Sequence, residues 1–586
     1  MEISVDSLRE CPLFSDFDNA ELVQILDKMK RQDLSENDYL FHENEPGNEL
    51  CIVIKGKLLV FTKSKSGEHI IGHVRPGESV GELSLLSNEP RSASVRAVCQ
   101  TTIMSLTRED FQSVCFKNPK ILWKLSSVIA SRSQSNISMI RGDKKNKSQV
   151  IGIVFVGNID LTDTVLELSR NNSARYKINF VDYHAVKKTK KILLQAAEHG
   201  HTAIFCIHSS EFEKEHDILN LLDRIIFAID VDNNNISDLK NEIQELSFTN
   251  RQYLEKELIL LHNSYKTSYP GTQQYLELDN FTKNYHISMK APDSVQRMLR
   301  LISGNGIGLV ISGGGAKGWA ALGAIDALNE HKINIDYVGG SSIGGCVAAI
   351  FSLYEESQRS AALRKFGNLA EAELTFSFTK VTFPLLSLFN GKIENLIAKE
   401  FCGEVMIQDL SIPFFTISAN LSTNSVYVWE KDYVRQAFRA TAAVPVMMPP
   451  LVYENQVHVD GGIINNFPIE VMRSKLDHRG TIIGINIGAS SIDPKKYNAP
   501  PEIGFWEALR IKLHMQDTTY MGLAEIMDRI IMTASIETTK KNEKLCDLLI
   551  SPEIRAYGLF DFEKREDLYA EGYRAACEAL KNWTPP

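Results

Sequence analysis

The residues best suited to chemistry sit where glycines flank a serine. Gly340-Ser341-Ser342-Ile343-Gly344 has the G-x-S-x-G spacing of a nucleophile elbow. A strand reading IDYVG leads into it and an apolar helical CVAAIFSLY follows. There the glycines allow a sharp turn and a close helix–strand approach. Ser342 is then exposed above the sheet at the positive end of a helix. One βα unit earlier, the apolar strand Gly306 to Ser312 runs into GGGAKG, Gly313 to Gly318, and then into KGWAALGAIDALNE. Gly313, Gly315 and Gly318 fit G-x-G-x-x-G, a dinucleotide fingerprint. The acidic residue expected after the next strand is missing, because Asp336 lies ahead of YVGG. Lys317 is followed by Gly318 and not by Ser or Thr, so the loop is not a Walker A loop. Beside a serine elbow, the backbone N–H groups of Gly313, Gly314 and Gly315 have another use: they can face a developing oxyanion. Together the two motifs predict acyl transfer at Ser342.

A serine needs a base. HVDGGIINNFP ends a short strand at Asp460, with Gly461 and Gly462 behind it and His458 two residues ahead on the same face. A triad wants the histidine beside the serine and the carboxylate behind it. Two residues adjacent on one strand are badly placed for that chain. The glycines instead allow Asp460 to reach Ser342 directly, and an aspartate acting as sole base calls for a partly dehydrated setting.

A second dense motif is GESVGELSLLSNEPRSASVRA, Gly77 to Ala97. Gly81-Glu82-Leu83 opens a short helical turn whose free N–H groups suit a phosphate. Glu82 can accept from a ribose hydroxyl, and Arg91, with Ser92 behind it, can pair with a cyclic phosphate. The other reading is a β-barrel corner held by a structural Glu82–Arg91 pair.

These motifs need scaffolds. With 586 residues, 73 acidic against 64 basic, the chain is too long for one core, and its acidic balance argues against a global nucleic-acid binder. Short alternating runs from about 13 to 107 read as antiparallel strands. A helix is expected from Arg108 to Met139, with Thr107 as N-cap and Asp110 in its first turn. RGDKKNKSQ, 141–149, reads as a charged linker. From 150 to about 262 apolar strands (IGIVFVGN, TAIFCIH, RIIFAID) alternate with helical segments, as in a parallel α/β layer, with KKTKK, 187–191, on an exposed face. A connector with Pro270 and Gly271 follows, and then the domain bearing Ser342. The expected boundaries are 1–141, 150–265, 266–300 and 301–586, with the core motifs in 306–468. The nine cysteines form no CxxC pair, so no metal site is expected and the thiols suit a reducing, cytosolic setting. MEISVDSLRECPLF is not a signal peptide, and no apolar run approaches the ~20 residues that span a bilayer.

GGGAKG, GSSIG and DGG, in that order, resemble the three signatures of patatin-like phospholipases. TISANLSTNSVYVW, RATAAVPVMMPPL and the upstream PGTQQYL…NYHI are similar to the neuropathy target esterase branch in particular. The resemblance implies a patatin α/β fold, a Ser–Asp dyad without histidine at Ser342 and Asp460, and an oxyanion loop at Gly313, Gly314, Gly315 and Gly318, with Lys317 where the family has Arg or Lys. It implies a phospholipid or lysophospholipid substrate and transient contact with a membrane surface. Residues 10–140 resemble a cyclic-nucleotide-binding domain, β-barrel-like, whose phosphate cassette covers Gly81, Glu82, Leu83, Arg91 and Ser92. This makes cAMP or cGMP a candidate allosteric ligand, with no cofactor for catalysis. Phe376, Phe378, Phe383, Leu385, Leu386, Leu388 and Phe389 form either an apolar rim for acyl chains or plain core; Phe505 and Trp506 are a weaker lipid-facing pair. The competing function is a non-enzymatic nucleotide sensor on an inert patatin scaffold. Oligomeric state stays open.

Overall fold

The computed structural model describes, apart from isolated positions, residues 17–117, 150–157, 178–181, 202–212, 222–247, 255–374, 386–488 and 523–584. Two compact units emerge: Met1–Ile259 with Leu276–Lys283, and Leu260–Tyr275 with Asn284–Pro586.

The first unit opens with α1 (Asn19–Leu26), started by a capping box in which Asp18 and Glu21 satisfy each other's backbone N–H. Eight strands follow: β1 (Lys30–Leu34), β2 (Tyr39–Phe41), β3 (Glu49–Lys55), β4 (Leu58–Ser64), β5 (Gly67–Val74), β6 (Ser79–Val80), β7 (Ser94–Ala97) and β8 (Thr101–Thr107). They form two antiparallel sheets, in the orders β1-β8-β3-β6 and β2-β7-β4-β5. Cys51, Val53 and Ile103 from one sheet and Phe41, Leu58 and Val95 from the other share a core. The expected barrel-like domain is present, as two sheets over a common interior; among the described residues they do not close into one. Register shifts at Tyr39/Phe41, Val53/Lys55 and Val60/Phe61 break the ladders and increase the local twist.

Between β6 and β7 lies α2 (Glu82–Ser87), and after β8 comes α3 (Arg108–Lys117). The expected cap is present: the Thr107 hydroxyl donates to Asp110 at 2.8 Å and accepts its N–H at 3.3 Å. The rest of that expected helix, the linker 141–149 and KKTKK lie outside the described residues. The expected α/β layer is present as the parallel strands β9 (Val150–Val156), β10 (Ile178–Val181), β11 (Thr202–His208) and β12 (Arg224–Asp230), ordered β10-β11-β9-β12. β13 (Glu255–His262) precedes the connector and β14 (Lys283–Ser288) lies within it.

The second unit carries the elbow. Its sheet runs β19-β20-β17-β16-β15-β21-β22, from β15 (Ile307–Ile311), β16 (Tyr337–Ser341), β17 (Phe414–Asn420), β19 (Leu451–Tyr453), β20 (Gln456–Asp460), β21 (Thr481–Ile485) and β22 (Leu548–Ile550). β18 (Ser425–Trp429) pairs with β17 off this path. The centre is parallel, and β20 joins β17 antiparallel with Ser418 opposite Asp460. That register brings the end of β20 beside the end of β16. Helices include α4 (Pro292–Ser303), α5 (Gly318–Glu330), α6 (Ile343–Leu353), α7 (Val434–Thr441), α8 (Leu523–Glu543) and α9 (Arg565–Leu580). Leu309, Ile311 and Val338 of the central strands are buried with Val347, Ile350, Leu328 and Leu568 of the helices in one core. Asp336, just before β16, is fully buried and forms an ion pair with Arg300 at 2.7 Å.

Candidate active site

β16 ends at Ser341, and the chain turns at Ser342 into α6 with φ 54° and ψ −132°. This is a positive φ on a non-glycine residue, the strained geometry of an elbow. Gly340 and Gly344 make the turn feasible: a Cβ on either would lie within 2.7 Å of backbone atoms across the turn. The Ser342 hydroxyl donates to Asp460 Oδ2 at 2.6 Å. The other carboxylate oxygen accepts the N–H of Gly462 at 2.7 Å. Asp460 is 2% exposed. Burial raises its pKa to about 6, against the lowering pull of the Ser342 and Gly462 hydrogen bonds.

His458 does not join this pair. Its Nδ1 faces the Ser418 hydroxyl at 3.0 Å, and its ring packs among Tyr427, Trp429 and Tyr453. Trp429 Nε1 donates to the same Ser418 oxygen at 2.8 Å. Burial lowers the pKa of His458.

The glycine loop lies against the nucleophile. A Cβ on Gly313 would stand 2.8 Å from Ser342 Cβ, and one on Gly318 2.8 Å from Ile343. Gly313 is held on both sides by Asn466: its N–H donates to Asn466 O at 3.1 Å, and Asn466 Nδ2 donates to Gly313 O at 3.1 Å. Its N–H is thus occupied. Those of Gly314 and Gly315, at the start of a short 3-10 turn, have no acceptor among the described residues. Gly315 takes φ 58°, and a Cβ there would meet Leu559 O at 2.5 Å, so this position requires glycine. Lys317 is buried, and its N–H donates to Gly314 O at 3.2 Å.

Two threonines not singled out in the sequence close the elbow. Ser342 N–H donates to Thr441 Oγ1 at 2.9 Å, Thr441 and Thr416 hydroxyls are 2.9 Å apart, and Thr416 donates to Gly340 O at 2.8 Å. The Thr416 proton goes to Gly340, so Thr441 donates to Thr416. A Cβ at Gly345 would fall 2.1 Å from Thr416 Oγ1; that glycine leaves room for the pair.

In the first unit, Arg91 is 5% exposed but is not paired with Glu82. Its Nη1 donates to Gly81 O at 3.0 Å and Ser84 Oγ at 2.8 Å, and its Nη2 to Glu49 O at 3.0 Å. The guanidinium stacks 3.5 Å above Phe41. Among the described residues, the alternative Glu82–Arg91 corner pair is not formed; the guanidinium bonds to two backbone carbonyls and a hydroxyl instead. Glu82 is buried at the start of α2, Gly81 has φ 90°, and Ser92 is exposed.

Of the apolar stretch after α6, Leu386 is 72% exposed, while Phe389 is buried. Phe376, Phe378, Phe383, Leu385, Phe505 and Trp506 lie outside the described residues. No helix among the described residues is long and apolar enough to cross a membrane.

Residues 309–473 match the patatin-like phospholipase family, and residues 31–118 match the cyclic nucleotide-binding domain. Over 98% of its length the chain is 24% identical to an uncharacterised NTE family protein of Mycobacterium tuberculosis, covering 96% of that protein. It is 23% identical to lysophospholipase NTE1 of Mycosarcoma maydis over 94% of this chain, which spans 34% of that longer relative. Among solved structures, the N-terminal domain of a transcriptional regulator from Streptomyces coelicolor A3(2) is 32% identical over 22% of this chain and 94% of that one, at a TM-score of 0.20. Along the chain, then, a segment similar to cyclic nucleotide-binding domains precedes one similar to patatin-like phospholipases, and relatives of the NTE type match nearly its whole length at 23–24% identity.

Proposed function

We propose that the chain hydrolyses ester bonds of phospholipids or lysophospholipids through Ser342 and Asp460, and that a cyclic nucleotide at Arg91 adjusts the rate. The observation that carries the first part is the 2.6 Å bond from the Ser342 hydroxyl to a buried carboxylate. Asp460 takes the serine proton as Ser342 Oγ attacks the ester carbonyl. The oxyanion that forms accepts from the N–H groups of Gly314 and Gly315. Collapse expels the alcohol, which takes the proton from Asp460 and leaves an acyl-serine. Water, activated by the same carboxylate, then releases the fatty acid.

A lipid substrate is supported by exposed apolar residues close to the elbow. Val446, five residues beyond Thr441, is exposed, and its carbonyl accepts from Leu388 N at 2.7 Å, two residues from exposed Leu386. Phospholipid and lysophospholipid share the ester that Ser342 attacks. A panel of both, assayed against Ser342→Ala, tests the reading: release of fatty acid by the native chain alone supports it, and equal release by both sinks it.

For the nucleotide, the cradle is Arg91, held flat by Phe41, beside Gly81 and the start of α2. A cyclic phosphate must displace the Gly81 and Ser84 acceptors from the guanidinium, and a charged acceptor outcompetes neutral ones. Calorimetry with cAMP and cGMP tests this; silence of both at millimolar concentration leaves the domain a structural element.

A further inference from the structure

At the end of the second unit's central strand β16 opposite Ser342 lies a cavity of about 420 Å³. Arg297, Arg300 and Arg359 stand in its wall, together with Tyr265 of the connector and the first turn of α4. β16 separates the two places. Asp336, in the cavity wall, directly precedes that strand and Ser342 directly follows it; five strand residues span roughly 17 Å.

The three arginines are not alike. Arg300 is neutralised by Asp336 through bonds of 2.7 and 2.9 Å. Arg297 is 7% exposed and donates only from Nη2, to His286 O at 3.0 Å and Ser411 Oγ at 3.1 Å. Arg359 is 5% exposed, donates to Phe351 O at 3.0 Å and Tyr354 O at 3.4 Å, and stacks 3.7 Å from the Phe351 ring. Neither has a carboxylate within ion-pair distance among the described residues, and their remaining N–H groups have no partner there. Burial lowers the pKa of both, that of Arg359 to about 10. A buried charge without a counter-ion is costly. Two in one cavity, beside the positive end of a 12-residue helix, make the cavity electropositive and favour an anion in it. Asp336 attracts Arg297 and Glu356 attracts Arg359 from beyond ion-pair distance, and in both arginines burial outweighs that pull; Asp293, Glu355 and Glu356 are exposed at the rim, where water and salt screen them.

We propose that this cavity binds a phosphate group, with Arg297 and Arg359 as its guanidinium donors. Planar guanidinium forks match phosphate oxygens, and the volume admits a small phosphate ester. The phosphate belongs either to a soluble ester or to a lipid head group.

The test uses the full chain with Ser342→Ala, so that no lipid is consumed. Calorimetry with inorganic phosphate and with glycerol 3-phosphate probes the soluble source. Sedimentation with phosphatidate-containing vesicles, against neutral vesicles, probes the lipid source. Binding in either arm, weakened about tenfold or more by Arg359→Gln and by Arg297→Gln, supports the site. The exposed-surface control Arg435→Gln should bind as the parent does. Should either variant fold poorly, the parent's melting temperature still reports: phosphate should raise it above chloride at matched ionic strength. Absence of both binding and that shift at millimolar phosphate overturns the proposal, as does binding that both variants retain in full.

Discussion

The backbone N–H of Ser342 is bonded to the hydroxyl of Thr441, a residue 99 positions away. Through Thr416 the chain of hydroxyls returns to the carbonyl of Gly340, so the two ends of the elbow are tied to one another. This holds a serine at φ 54°, a conformation that costs on the order of 1–3 kcal/mol. Thr441→Val removes the hydroxyl at nearly constant volume. It should lower kcat about tenfold with little change in KM and slow labelling by a fluorophosphonate, while Thr441→Ser restores both. An unchanged labelling rate would show that the elbow holds itself.

The glycine loop predicts an asymmetry. Gly315→Ala must force a Cβ toward Leu559 O at φ 58°, whereas a Cβ on Gly314 would meet Ile487 at 3.1 Å. Both should lower kcat more than they raise KM, because the N–H donors act on charge that exists only in the transition state. Gly315→Ala should cost more, approaching the roughly 10²–10³ of a lost donor. Steady-state kinetics on each variant checks this; a change confined to KM would assign the loop to substrate binding.

Much of this site could be read in the sequence, and the parts that could not share a cause. Ser342, Asp460 and the glycines carry their geometry in local spacing, so strand-turn-helix reasoning places them. Thr416, Thr441 and Asn466 act by long-range contact: nothing local in RATAAVP or NNFP says which hydroxyl or amide meets the elbow or the loop. Arg91 shows the reverse limit. Spacing alone leaves open whether it faces a phosphate or Glu82, and in the folded corner it bonds to the carbonyls of Gly81 and Glu49. The barrel-like domain could be read from alternation, but the order β1-β8-β3-β6 and β2-β7-β4-β5 and its register shifts could not, because alternation does not encode which strands pair.

The pKa of Asp460 gives a pH profile. As a base it must be ionised, so kcat/KM should fall on the acid side with a midpoint near pH 6. The same shift costs stability. With a folded pKa above the unfolded 3.8, the penalty is absent below that unfolded value and fully present above about 6. Asp460→Asn should therefore melt no lower than the native chain at pH 7.5, and any advantage should vanish by pH 4. A lower melting temperature at pH 7.5 would show that the charged form is well solvated.

In the first unit, Arg91→Ala should abolish binding of a cyclic nucleotide and any change in hydrolysis that follows it, since a charge-assisted pair is worth roughly 1.5–3 kcal/mol. Basal hydrolysis should persist. Calorimetry beside a lipid assay checks both; loss of basal hydrolysis in a folded Arg91→Ala chain would tie the cradle to catalysis itself.

The central claim is that Ser342 works with Asp460 and without histidine. The most direct measurement is the hydrolysis rate of one lysophospholipid by the native chain, Asp460→Asn and His458→Gln, with folding checked by melting. Asp460→Asn keeps the shape and removes the proton acceptor, so the rate should fall about 10³-fold or more. His458→Gln, bonded only to Ser418 among the described residues, should keep most of it. Collapse of His458→Gln with survival of Asp460→Asn would contradict the dyad and require a histidine base.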